Sequence, residues 1–358
     1  MTKKLYSYEL IEALCNAFGP SGCEDAVAEL IRDQISDLDV EAKRDKLGNL
    51  ICRFKANENT ADRKKLMISA HMDEVGFMVS EITEKGYLRF GQVGGIMPAV
   101  LSGRHVVVGD EKSQVGGVIA SKAIHQKSAE DRLKPEKEEN LLIDIGIDSE
   151  EEARKYADVG TFATFAANFG RFGKDGKMLR SKALDDRLGC ALMIELMRKL
   201  YDSAASLPVD IYFCFTTREE VGLSGAEVAA NAIKPDFAIV LETTAVADLA
   251  DVDETKRVAK LGEGGAISLM DRGTIYNREL IDTALKTAEE YGIKVQIKKY
   301  VSGGNDAAKI HKSGSGVRTL ALSAPTRYLH SPNCVASYDD YEAMLELLYK
   351  LIITGRIK

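Results

Sequence analysis

Residues 209–241 read VDIYFCFTTREEVGLSGAEVAANAIKPDFAIVL, and their rhythm decides the fold class. The run 209–216 is almost continuously apolar, the texture of a strand buried on both faces. A polar break carrying Glu219 and Glu220 follows, then a helical stretch at 226–231, then a second apolar strand at 237–241. Strand, helix and strand in succession point to an α/β domain built on a mostly parallel sheet. Outward from this unit the alternation continues. Leu188, Leu192, Leu196 and Leu200 recur every four residues and predict a helix over 188–200. Further on, 280–291 reads as a helix, 317–322 as a strand and 341–353 as a closing helix. On the N-terminal side, amphipathic runs at 8–18 and 26–35 flank the breaker Gly19-Pro20-Ser21-Gly22. Asp45-Lys46-Leu47-Gly48-Asn49 predicts a turn feeding a strand, and 66–70 predicts a strand ending at His71.

Between these parts the texture changes. Short β-rich runs recur at 76–79, 87–90, 105–108, 115–120, 141–147 and 161–166, punctuated by glycines. Many short strands with glycine turns predict a compact barrel or sandwich. Within them, 126–140 is nearly all polar and charged, which predicts a solvated loop. The expected organisation is one α/β domain, residues 1–72 and 167–358, interrupted by a β-rich insertion at 73–166.

Composition bounds the function. The chain has 358 residues, 45% hydrophobic and 29% charged, as in ordinary globular proteins. Lysine and arginine total 48 against 55 acidic residues, a net charge of −7. That balance lacks the electrostatic footprint of a nucleic-acid or anionic-membrane binder. No apolar run reaches the length of a membrane span, and the N-terminal stretch has no signal-type apolar core. Six cysteines without a CxxC pair predict reduced, buried thiols and a cytoplasmic location.

In open α/β sheets, sites lie beyond the carboxyl ends of the strands. There the sequence places His71 and Asp73, Glu219 and Glu220, Glu242 and His330, with Asp185-Asp186-Arg187 opening the helix at 188. Taken singly, these residues have plain structural readings. Acidic pairs favour helix starts, a histidine can be a satisfied core residue, and Asp73 can close a turn. Together, two imidazoles and several carboxylates suit a divalent metal such as Zn²⁺, Co²⁺ or Mn²⁺. Two ions need one bridging carboxylate, an imidazole and a carboxylate each, and one further carboxylate free to accept a proton. The chain supplies that number. His105, His125 and His311 fall outside these strand ends. Asn305-Asp306 reads as either a pocket lining or a helix cap.

Four motifs carry a family resemblance: His71-Met72-Asp73-Glu74-Val75-Gly76, Leu184-Asp185-Asp186-Arg187, Glu219-Glu220-Val221-Gly222-Leu223-Ser224-Gly225-Ala226 and Arg327-Tyr328-Leu329-His330-Ser331. They resemble, in order, those of the tetrahedral aminopeptidases, dinuclear-metal enzymes that include glutamyl and deblocking aminopeptidases. Gly19-Pro20-Ser21-Gly22, Asp45-Lys46-Leu47-Gly48-Asn49, Asp144-Ile145-Gly146 and Gly303-Gly304-Asn305-Asp306-Ala307 support the match along the whole chain. The resemblance implies that His71 binds the first metal and Asp185 bridges the two. Glu220 and His330 would complete the second metal, and Glu219 would be the general base. Asp73 would hold the imidazole of His71 in its tautomer. The family's usual aspartate beside the first metal is here Glu242, a departure whose longer side chain can still ligate.

The implied activity is removal of N-terminal residues from peptides with a free amine, using two divalent ions, zinc foremost, cobalt or manganese otherwise. A water acidified between the ions would give its proton to Glu219, which would pass it to the departing amine. The resemblance also implies dimers through the inserted domain, assembled into twelve-subunit tetrahedral shells. The competing readings are a carboxypeptidase or deacylase of the same chemistry, and an inactive peptide-binding scaffold on the same fold.

Overall fold

A computed structural model describes residues 3–54 and 63–357; Met1 and Thr2 of the N-terminal stretch lie outside the described residues. The centre of the molecule is four adjacent parallel strands in the order Asp210–Thr216, Lys65–His71, Phe237–Ala245 and Arg318–Arg327. Their near-continuous apolar sequences match burial on both faces. Antiparallel strands extend the sheet at both sides: Leu50–Phe54 and Val40–Arg44 beside Asp210–Thr216, and Cys334–Ser337, Met178–Ser181 and Gly170–Phe172 beyond Arg318–Arg327. Gly265–Ser268 pairs with Arg318–Arg327 and carries Val295–Lys298 in turn. Most of these flanking strands were not foreseen, because they are three to five residues long and mixed in composition.

The central strands run longer than their apolar cores. The one expected at 237–241 continues to Ala245, so Glu242 lies within it, not after it. That expected at 317–322 continues to Arg327, which carries His330 just past its end. Apart from their last residues, both extensions are buried polar or small residues that hydropathy does not flag. The helix expected from 188 is Leu184–Leu200, but Asp185 and Asp186 hold non-helical backbone angles, so they do form a turn at its mouth. Its four-residue leucine ladder is fully buried, and the helix packs on Lys65–His71 and Phe237–Ala245 with Ser7–Asn16 and Tyr338–Ile353 beside it.

All six β-rich runs form strands, and these close a barrel in the order Gly76–Ile82, Leu88–Val93, Leu142–Asp144, Gln114–Ala120, His105–Gly109, Phe162–Phe165. The run at 141–147 contributes only its first part, since Gly146 turns the chain at φ 76°. The barrel encloses its own apolar core around Phe77, Phe90 and Phe165, whose rings pack edge to face. Residues 126–140 carry short 3₁₀ turns and are mostly exposed.

Barrel and sheet meet around a buried charge cluster. Glu74 accepts from Lys182 and from the hydroxyl of Thr164 at 2.8 Å, and the Arg187 guanidinium lies 3.6 Å away. Arg187, wholly buried, also donates to the carbonyls of Met72, Leu14 and Gly19. The long side chains that sequence alone would place at the surface are here interior ties.

Candidate metal centre and active site

The carboxyl ends of the four central strands converge on one crevice, as the sheet topology requires. Asp185 sits at its middle. Its Oδ1 lies 3.2 Å from His71 Nε2, and its Oδ2 lies 3.5 Å from His330 Nε2. On the first side Glu242 Oε1 is 3.5 Å from His71 Nε2; on the other Glu220 Oε1 is 3.4 Å from His330 Nε2. His71, Asp185, Glu220, Glu242 and His330 are therefore brought together, with one imidazole and one glutamate on each side of Asp185.

Both imidazoles are oriented by backbone. His71 Nδ1 lies 3.0 Å from the carbonyl of Asp73, and His330 Nδ1 lies 2.6 Å from the carbonyl of Gly95. A carbonyl can only accept, so each Nδ1 carries the proton and each Nε2 turns toward the crevice. Asp73 thus lies beside the His71 imidazole, as expected, with its carbonyl the nearer group. Its carboxylate is 3.5 Å from His71 Nδ1, within ion-pair distance.

The Asp73 carboxylate also accepts from the amides of Glu219 (3.0 Å) and Glu220 (3.1 Å) and from the hydroxyl of Ser21. The two preceding amides are held likewise. Arg218 N donates to Glu24 Oε1 at 3.1 Å, and Thr217 N donates to Asn49 Oδ1 at 2.9 Å. Four successive amides thus meet side chains from three distant segments. Arg218 itself takes a positive φ of 57°, which this bracing offsets. Asn49 is placed by the turn in which Asp45 Oδ1 accepts from Leu47, Gly48 and Asn49, with Gly48 at φ 100°. Glu24→Ala is accordingly expected to lower kcat by roughly tenfold to a hundredfold, the usual cost of losing a group that orients a site residue. Glu24→Gln, which keeps an acceptor, restores most of it; steady-state kinetics on both variants is the check.

Electrostatics tests whether cations fit here. Carboxylates outnumber imidazoles in the crevice, and burial pushes Glu242 and Glu219 well up, with neighbouring carboxylates adding to it. Burial, then the charge of Asp185, brings Glu220 to about 7. For His330 burial works downward, yet Asp185 and Glu220 outweigh it and raise the imidazole to about 9. Asp185 is held well below its ordinary value: burial opposes this, but the two imidazoles prevail. Glu220 Oε1 and Asp186 Oδ2 are buried without a hydrogen-bond donor. A buried excess of acceptors and negative charge is the environment that divalent cations relieve. Ligand atoms of His71, Asp185 and Glu220, and of Asp185, Asp186 and Glu242, lie within 4.8 Å of one another, close enough to share an ion, and His330 joins them through its 3.5 and 3.4 Å approaches to Asp185 and Glu220. Asp186 was not among the expected ligands; the doubled aspartate was its signal, but its Oδ1 also accepts from Gly189 N at 3.1 Å, as a helix cap does.

The crevice opens into a cavity of about 770 Å³, within the usual size of a small-ligand site. Glu219 lines it beside Glu220 and Glu242, and Asn305 lines it further along. Asn305 also braces the short turn after it, its Oδ1 accepting from Ala307 N at 2.9 Å, while Asp306 is the residue at the helix start. Asp306 instead accepts from Thr216 Oγ1 at 2.7 Å below the crevice.

The profile of the M42 glutamyl aminopeptidase family matches residues 48–347. The chain belongs to this family. It is similar to lysyl aminopeptidase of Pyrococcus furiosus, 33% identical over 352 residues that cover 97% of each chain. Among solved structures it resembles a TET aminopeptidase from a marine-sediment Thaumarchaeota archaeon, with a TM-score of 0.92 and 34% identity over 98% of this chain and 96% of that one. It also resembles the Pyrococcus horikoshii TET1 peptidase, described as assembling into a tetrahedron or an octahedral shell, at a TM-score of 0.84 and 35% identity over 96% and 98% of the two chains. Membership makes this M42 chain a peptidase, and neither the carboxypeptidase, the deacylase nor the scaffold reading is favoured. Among the described residues no helix is long and apolar enough to cross a membrane.

Proposed function

We propose that this chain is a dinuclear-metal aminopeptidase that removes N-terminal residues from peptides. The observation that carries the reading is Asp185, one carboxylate oxygen facing each of two imidazoles whose Nε2 atoms are turned to it. His71 and Glu242 would hold one ion with Asp185, and His330 and Glu220 the other. When bound, such cations acidify water and place positive charge where a carbonyl oxygen becomes negative. Glu219 is the base: no described residue donates to its carboxylate, it faces the cavity, and its amide is pinned to Asp73. It takes a proton from water and returns it to the departing amine. Asp73 acts by positioning, through the amides of Glu219 and Glu220 as well as through its carbonyl on His71. Zinc is the ion this donor set suits first, with cobalt or manganese as substitutes. Cleavage of amino-acid p-nitroanilides, but not of N-blocked or C-terminal substrates, by chelated and reloaded enzyme tests the reading. Cleavage of the blocked substrates instead would reassign it to a carboxypeptidase or deacylase.

We further infer that residues 1–72 and 167–358 form the catalytic domain and 73–166 an inserted dimerisation domain. The separate apolar core of the barrel supports this division. Assembly of dimers into a tetrahedral dodecamer is supported by the resemblance to the TET peptidases. Light scattering is expected to give a mass near twelve chains, and a monomer alone would end that part of the proposal. The free cysteines, all without disulfide partners among the described residues, support a cytoplasmic location.

A further inference from the structure

The cavity has two arms, one on each side of Asp185. Lys298 stands close enough to Asp271 and Glu242 for their charges to act on it, so its arm lies on the His71–Glu242 side. The barrel borders the other side, since the Gly95 carbonyl holds the His330 ring. There Met97, Val100 and Arg104 line the cavity, with Pro332 and Asn333 of the loop after His330. This barrel-side arm does not end at the cavity. Arg104, Pro332 and Asn333 also line an adjoining hollow of about 280 Å³, which Asn168 borders at the seam between barrel and sheet.

An aminopeptidase has one residue upstream of the bond it cuts and the whole remainder of the peptide downstream. The arm with an onward path suits the remainder, and its polar groups suit a peptide end. Asn168 Nδ2 donates to the carbonyl of Pro332 at 2.8 Å and to Asn333 Oδ1 at 2.9 Å, which fixes one wall. Its Oδ1 is buried without a donor, and a peptide N–H is the kind of group it lacks. Arg104 supplies positive charge. Its backbone is built into the barrel: its N donates to the carbonyl of Leu101 at 3.1 Å, and its carbonyl accepts from Ile119 N at 2.9 Å. Its Nε donates to the carbonyl of Val100 at 2.8 Å, and among the described residues neither terminal nitrogen has a partner. The guanidinium is thus steered by its own loop and keeps its outer edge, two parallel donors, for a carboxylate.

We propose that the downstream part of the peptide lies along the barrel-side arm and that Arg104 pairs with its C-terminal carboxylate. This rests on the aminopeptidase reading and adds a preference for short peptides with a free C-terminus. An extended residue spans only about 3.3–3.6 Å, so a carboxylate reaches a side chain of the same cavity only from a few residues beyond the bond.

The test uses the full chain loaded in turn with zinc, cobalt and manganese. The substrates carry whichever N-terminal residue is cleaved fastest as a p-nitroanilide, followed by one, two, three or five glycines, each as free acid and as C-terminal amide. The acid is expected to be favoured in kcat/KM by roughly threefold to tenfold for at least one of the three shorter peptides, the scale of a charge-assisted pair at a partly exposed site. The ratio should be near unity for the longest peptide and should shrink as salt is raised. Arg104→Met should bring the short-peptide ratio close to unity, whereas Arg104→Lys should keep part of it. An acid-to-amide ratio near unity at every length, or one that survives in Arg104→Met, overturns the role of Arg104 and leaves the aminopeptidase reading standing. So does a gain seen only when aspartate replaces the first glycine of an amide, which would make the ligand a side-chain carboxylate. Failure to cleave any p-nitroanilide or peptide with any metal overturns that reading and this assignment with it.

Discussion

Asp185→Asn is expected to leave the protein folded but unable to retain its metals, with activity reduced on the order of a thousandfold. The side chain keeps its shape, and an amide oxygen can still face one imidazole. Its other end becomes an NH₂ group, which offers no lone pair to the second side. Because the two oxygens of Asp185 serve His71 and His330 separately, one substitution affects both halves. Elemental analysis after dialysis against metal-free buffer, beside a circular dichroism spectrum, makes the measurement. Retention of two ions per chain would show that Asp185 is not the bridge.

Glu219→Gln is expected to do the reverse, keeping the metals and losing the chemistry. The amide is isosteric but cannot take a proton, so kcat should fall by about 10²–10⁴ with KM little changed. The backbone of the loop should not move, since the Glu219 amide still donates to Asp73. Metal content equal to wild type together with wild-type turnover would remove Glu219 from the role of base. The contrast between the two variants separates holding the ions from moving the proton.

The sheet was legible because its central strands are written in largely apolar residues and the helix packed on it in fourfold leucine spacing. The barrel was legible through glycine punctuation. What stayed hidden was interior polarity. Lys182 and Arg187 look like surface residues in any window, and only the fold brings Glu74 to them. The crevice residues could be named because strand ends deliver them to one place. Their supports could not, since Ser21, Glu24 and Asn49 act on residues 168 to 194 positions away, or 52 in the case of Ser21. The motifs Gly19-Pro20-Ser21-Gly22 and Asp45-Lys46-Leu47-Gly48-Asn49 were recognisable as motifs, but their purpose in bracing residues 217–220 is visible only in three dimensions. Gly95 gave no signal, because its contribution is a carbonyl that every residue possesses.

That carbonyl makes a thermodynamic linkage between two parts of the chain. Gly95 follows the barrel strand Leu88–Val93, whereas His330 follows the sheet strand Arg318–Arg327. The proton on His330 Nδ1 is therefore fixed by the barrel, and the lone pair on Nε2 is presented by the sheet. Displacing the barrel weakens one end of the imidazole and frees the ring to turn from the crevice. By reciprocity, whatever binds at Nε2 resists that displacement with the same free energy. Were an ion held at Nε2, its affinity and the strength of the Gly95 contact would be coupled in this way.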